Sequence, residues 1–345
     1  MSLNKFCVFT LLFFLIISCN TNSDKGYKNG MVVSAKVEAS EAGISILKQG
    51  GNAFDAMIAT DLALSVVYPN AGNLGGGGFL VYRLSDASYG SLDFREKAPS
   101  KATKSMYLDE NNNEIKGLST EGGLSVGIPG TVAGLFKVYE KYATLSLDKL
   151  FEPAIKLAEN GYKLTEKQAY SLNSNRDKIN QLNDTVTLFN KTYKKGDLFV
   201  NKALANSLKL ILKNGRDEFY KGKMSKQIID YVNSENGILS EKDFNNYEAK
   251  WRNPITFKYK DLNIITMGPP SSGGIVLGQI LKMIEPYDLK SLKQNSVKYV
   301  QLLVEAQRRA FADRGEYLGD PDFNYIPKSE LLDKEYLLSR MNDFS

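Results

Sequence analysis

Two periods of apolar and polar positions run along this chain. Across residues 38–49, Ala39, Ala42, Ile46 and Leu47 recur at helical spacing, and Gly50-Gly51 supplies a stop. Asn52 offers a cap for a second helix, Ala53–Val67, which is apolar on nearly every side and predicts a buried helix ended by Pro69. Residues 79–84 and 89–95 have strand composition, and the short polar loop between them predicts a hairpin. The Gly- and Pro-rich turn 125–130 opens a helix over Thr131–Tyr142, and another covers Leu147–Asn160 before Gly161. Residues 165–250 are polar, rich in Asn and Lys, and read as mostly helical. Strands follow at Ile255–Tyr259 and 262–267, then a tight loop at 268–274. An apolar helix over 275–284, a long amphipathic one over 296–313 and a last element at 331–341 complete the pattern. Hairpins mixed with helix pairs, without βαβ units, predict an α+β fold with helices layered on antiparallel sheet.

The N-terminus follows a different pattern. Lys5 precedes a short apolar run, 6–17, which is a secretory signal pattern and too short to span a bilayer comfortably. The run leads into Ser18-Cys19 and resembles a bacterial lipobox. We therefore expect a lipoprotein signal peptide at 1–18, with acylation of Cys19; a plain signal peptide with an incidental cysteine is the alternative. Residues 19–30 are polar and contain glycine, as in a flexible tether, and residues 31–345 form the body. The expected location is the bacterial cell envelope, lipid-anchored and facing the periplasm or the surface.

Composition narrows the chemistry. The 345 residues are 43% hydrophobic and 24% charged, an ordinary globular balance. The net charge of +5, from 44 basic and 39 acidic residues, is scattered and carries no aromatic-basic stripe, so nucleic acid is not an expected partner. There is no histidine, which excludes a Ser-His-Asp triad, a Cys-His dyad and His-ligated zinc within the chain. The two cysteines lie at 7 and 19, so the body has neither disulfide nor thiolate metal site.

Four motifs each admit a functional and a structural reading. Gly75-Gly76-Gly77-Gly78 suggests a phosphate loop, but a helix precedes it and a strand follows, the reverse of what such a loop needs. Close approach of two backbones is the better reading. Asp93-Phe94-Arg95-Glu96 is either an ion-pair cluster or a fork for a carboxylate, and spacing alone does not choose. Pro269-Pro270-Ser271-Ser272-Gly273-Gly274 reads as a structural loop, since no Ser-x-x-Lys pattern would activate a serine. Leu318-Gly319-Asp320-Pro321-Asp322-Phe323 lacks the alternating ligands of a calcium loop and reads as a capped turn. No metal or cofactor is expected.

Taken together and in order, the motifs are specific. Gly50-Gly51-Asn52-Ala53-Phe54-Asp55-Ala56, Gly72 to Phe79, Asp93-Phe94-Arg95-Glu96 with Ala98-Pro99, Gly127 to Gly134 and Asp217 to Gly222 form the set. The proline-serine-glycine loop and Ala312-Asp313-Arg314 through Phe323 complete it. From about Gly30 onward the chain resembles the γ-glutamyltransferase (glutathione hydrolase) family. The resemblance implies an N-terminal-nucleophile hydrolase, a four-layer αββα sandwich made as a precursor that cuts itself before a threonine. The new N-terminal threonine is the nucleophile and its own α-amino group the base, a solution that needs no histidine base. The γ-glutamyl group of glutathione or a related compound then passes to water or an amino acid. By motif, Arg95 is the residue that the resemblance implies for the α-carboxylate of that group.

The family's cleavage motif pairs threonine with histidine, so it is absent here, and neither Thr120 nor Thr131 is nominated as nucleophile. No catalytic residue is therefore expected in the chain. The expectation is an incomplete large subunit: shortened, truncated or one half of a split gene. Its partner would be the small subunit. Alone it would be nearly inactive and would expose sheet and helix surface. A related acylase or poly-γ-glutamate-processing enzyme, or an inactive lipoprotein, are the alternatives.

Overall fold

The computed structural model describes residues 29–183 and 187–344. The chain divides into two units, residues 1–33 and 34–345. The expected signal peptide and Cys19 lie outside the described residues.

Helix α1 (Val37–Lys48) ends where Gly50 takes φ +87°, a left-handed turn that glycine enters without strain. Helix α2 (Ala53–Val67) opens with a capping box: Asn52 Oδ1 accepts the N–H of Phe54 and Asp55 at 2.8 and 3.0 Å, and Asp55 Oδ2 accepts the N–H of Asn52 at 2.8 Å. As expected, α2 is buried almost throughout, from Ala56 to Val67. Strands β1 (Gly78–Arg83) and β2 (Tyr89–Phe94) form the expected antiparallel hairpin, with Gly78 opposite Phe94. Helices α3 (Thr131–Tyr142) and α4 (Leu147–Asn160) follow. A two-residue pairing of β3 (Tyr162–Lys163) with β4 (Leu198–Phe199) frames α5 (Glu166–Leu182). Helices α6 (Lys202–Asn214), α7 (Arg216–Tyr220), α8 (Lys223–Ser234) and α9 (Glu241–Asn245) complete the polar stretch.

That stretch ends in a strand, not a helix. Strand β5 (Lys250–Arg252) pairs antiparallel with β2, giving the order β1-β2-β5. Trp251 fixes it there, edge-on to Tyr82 and Tyr142 at ring distances of 6.1 and 5.8 Å. Strands β6 (Ile255–Tyr259) and β7 (Leu262–Thr266) make a second hairpin. Helix α10 (Gly273–Ile284) packs on α11 (Val297–Tyr317), which runs one turn beyond the expected end. The single element expected at 331–341 is two short helices, α12 (Lys328–Leu331) and α13 (Lys334–Ser339). Asp333 breaks it, because its Oδ1 caps the second helix through the Tyr336 N–H at 2.8 Å.

Among the described residues every strand pair is antiparallel. One large core unites α1 to α9 with the three-stranded sheet, and a second joins α10, α11 and α13 through Met283, Leu302, Ala306 and Leu337. The opposite side of α11 exposes Val297, Val300, Val304 and Phe311, and β1 exposes Phe79 and Val81.

Candidate substrate cleft

The glycine run is a packing device. The Gly76 carbonyl accepts the N–H of Gly130 and Thr131 at 2.7 and 3.0 Å, so it plugs the N-terminus of α3. The Ala133 N–H is likewise taken, by Tyr220 Oη at 3.2 Å, so the helix start is engaged by the protein itself, which counts against the phosphate reading. A Cβ on Gly77 would stand 2.6 Å from the Phe94 carbonyl oxygen and 2.8 Å from the Glu96 nitrogen. The run thus lies against the backbone of the Asp-Phe-Arg-Glu segment, the close approach that the sequence suggested.

The ion pair expected as the alternative role of Arg95 does not form. Asp93 turns to Arg252, whose Nε donates to its Oδ2 at 2.8 Å, while Asp93 Oδ1 accepts the backbone N–H of Arg95 at 3.1 Å. Arg252 reaches on to Asp322, with Nη1 and Nη2 on separate oxygens at 3.0 Å each, and Lys250 Nζ meets the same carboxylate at 2.7 Å. Among the described residues the Arg95 guanidinium has no hydrogen bond or ion pair, and it is exposed at the wall of an open cleft. Its backbone is held from behind. Tyr247 Oη donates to the Arg95 carbonyl at 2.7 Å, and the Tyr247 ring stacks on Tyr220 at 5.6 Å. Tyr220 Oη in turn donates to the Pro129 carbonyl at 2.9 Å. Burial pushes the Tyr247 hydroxyl far above the ordinary tyrosine range, so it stays a donor at any physiological pH.

The cleft, about 830 Å³, collects motifs that looked unrelated in sequence. Gly77 and Gly78, Arg95, the 270–272 turn, Arg314 and the 318–322 loop all line it. Ser272 accepts a hydrogen bond from Arg314 Nε at 3.0 Å, which ties the serine turn to α11. The paired aspartates are explained by their partners: Asp322 serves Arg252 and Lys250, and Asp320 Oδ1 accepts the Asp322 N–H at 2.9 Å. No cluster of three or more potential metal ligands occurs among the described residues. The Thr120 hydroxyl bonds the Gly117 carbonyl at 3.2 Å, and Thr131 is buried at the start of α3; both are structural. Sequence reasoning missed Tyr247, Lys250 and Arg252. Their one signal was the lone Trp251 between two cations, just ahead of Pro254.

The Arg252 bridge predicts a pH effect. Hydrogen bonds from Arg252 and Lys250 hold the Asp322 carboxyl well below the usual carboxylate range. A depressed pKa adds stability that is fully present above about pH 4, the unfolded value, and is lost as pH falls through the folded one. In urea unfolding, Asp322→Asn should remove about 1–2 kcal/mol at pH 7 and flatten the loss of stability on acidification. Equal acid sensitivity in both proteins would refute the bridge's part in it.

A family model described as Gamma-glutamyltranspeptidase matches residues 39–345. The glutathione hydrolase proenzyme of Pseudomonas sp. (strain A14) is 43% identical over 315 residues, covering 90% of this chain and 55% of its own. That of Escherichia coli (strain K12) is 42% identical, with 90% and 54% covered. The chain therefore spans about half the length of the curated relatives it matches. The crystal structure of Helicobacter pylori gamma-glutamyltranspeptidase superposes with a TM-score of 0.89 at 42% identity, covering 92% of each chain. The fold is thus the large-subunit part of the N-terminal-nucleophile hydrolase sandwich. With a matching family model over nearly all of the body and relatives above 40% identity, this chain belongs to the gamma-glutamyltranspeptidase family.

Proposed function

We propose that this chain is the substrate-gripping large subunit of a γ-glutamyltransferase and glutathione hydrolase. Arg95 holds the α-carboxylate of the γ-glutamyl donor through a two-point, charge-assisted contact. That grip points the γ-carbonyl at a threonine supplied by the small subunit. The threonine hydroxyl attacks the carbonyl carbon while its own α-amino group takes the proton, and the amine portion of the donor leaves protonated. Water or an amino acid then releases the γ-glutamyl group from the threonine. The relatives are named proenzymes, which supports a precursor cut into two subunits. The observation that carries the reading is the free guanidinium of Arg95 beside an aspartate already engaged by Arg252.

The apolar run before Cys19 supports lipid anchoring at the bacterial envelope. Among the described residues no helix is long and apolar enough to cross a membrane. The test of activity is release of anilide from a γ-glutamyl anilide. The chain alone should give almost none, and co-expression with a small subunit should restore it. Turnover by the chain alone, or none by the assembled pair, contradicts the reading.

A further inference from the structure

Arg95 is not the only cation in the cleft left without a carboxylate. The chain has nine arginines. Six are ion-paired, and among the described residues only Arg83, Arg95 and Arg314 are not. Arg83 ends β1 and lies outside the cleft, while the other two both line it.

Arg314 is held but not neutralised. Its Nε donates to the Ser272 hydroxyl at 3.0 Å, and its guanidinium carbon lies 5.8 Å from the centre of the Phe311 ring. Ser272 is fixed in turn at the start of α10, where the 268–274 loop closes through a Ser271 N–H to Gly268 carbonyl bond of 3.1 Å. One edge of the guanidinium is thereby oriented, and both Nη groups remain without a protein partner among the described residues. The acids on the same wall do not pair with it. Asp322 is occupied by Arg252 and Lys250, and Asp320 accepts the Asp322 N–H. An arginine with a neutral orienting partner and an open two-nitrogen edge is built to take a carboxylate from outside the chain.

We propose that Arg314, oriented by Ser272, forms a second carboxylate subsite. The cleft would then favour γ-glutamyl peptides whose leaving portion ends in a free carboxylate over γ-glutamyl amides that lack one. At about 830 Å³ the cleft that both arginines line has room for a tripeptide. The inference rests on the reading of Arg95 as the grip for the glutamyl α-carboxylate.

The experiment titrates the purified chain with glutathione and with γ-glutamylethylamide, which shares the glutamyl end but has no second carboxylate. The quantity that decides is the ratio of the two affinities. The unaltered chain should favour glutathione, and Arg314→Gln should lower the ratio about tenfold, or about 1.4 kcal/mol. Ser272→Ala should lower it less. Arg314→Glu should turn preference toward a γ-glutamyl compound with a terminal ammonium. Arg95→Gln should weaken both ligands and leave the ratio where it was. An unchanged ratio in both Arg314 variants overturns the second subsite, as does equal affinity of the unaltered chain for the two ligands. Arg95→Gln without effect on either ligand overturns the underlying reading instead. Absence of saturable binding of either ligand to the unaltered chain counts against both.

Discussion

Replacing Arg95 with alanine should raise the KM of the assembled enzyme for glutathione by roughly ten- to a hundredfold, the loss of about 1.5–3 kcal/mol expected when a charge-assisted two-point contact is removed. Thermal stability should hardly move, because the guanidinium is exposed and has no partner among the described residues. Separating those two readouts distinguishes a ligand-binding arginine from a structural one. Arg95→Lys should restore little. Lysine carries the charge but lacks the planar fork that meets both oxygens of a carboxylate. The main-chain atoms at 95 are held by Asp93 and Tyr247 whatever the side chain, so the cleft wall should survive either change. If both variants keep the KM of the unaltered enzyme, Arg95 does not bind the donor.

The largest loss of stability is expected far from the cleft, at Asp55. This carboxylate is fully buried and accepts four hydrogen bonds: Asn52 N–H at 2.8 Å, Thr144 Oγ1 at 2.6 Å, Thr144 N–H at 3.0 Å and Leu145 N–H at 3.2 Å. It therefore caps α2 and also anchors the turn between α3 and α4. Burial by itself would push the carboxyl up, but the bonds from Thr144, Asn52 and Leu145 outweigh burial and hold it below the ordinary value. Asp55→Ala leaves three N–H groups and a hydroxyl without their acceptor and should destabilise by about 3–5 kcal/mol. Asp55→Asn keeps one acceptor but turns an amide N–H₂ toward donors, so it should recover only part. Because the pKa is depressed, this contribution is complete above about pH 4 and declines as the medium becomes more acid. Urea titrations followed by circular dichroism measure it, and a loss below about 1 kcal/mol would show that the turn finds other acceptors.

Local chemistry made much of the fold legible. The ends of α2, α3 and α4 coincide with those read from pattern, because Asn52, Pro69, the Gly127–Gly130 turn and Gly161 signal them within a residue or two. Strand β5 was not legible. Three residues carry no period, and what makes them a strand is the free edge of β2, reached through the fold. The cleft divided in the same way. Arg95 was nominated through a family resemblance, while spacing left it balanced between ion pair and carboxylate fork. The balance tips only when Arg252, in a segment with no signal of its own, is seen to take Asp93. The serine turn and the 318–323 loop looked like ordinary turns because each supplies one wall of a cavity that no single segment encodes.

The bridge through Arg252 also bears on how the molecule folds. It joins Asp93 and Asp322 to a residue 159 positions away from one and 70 from the other. Contacts of such high contact order return nothing until long loops have closed, whereas the α1–α2 pair needs only its short connection. The expected order is early helical hairpins and a late cleft, so binding competence should arrive last, after most of the helical signal has already been recovered.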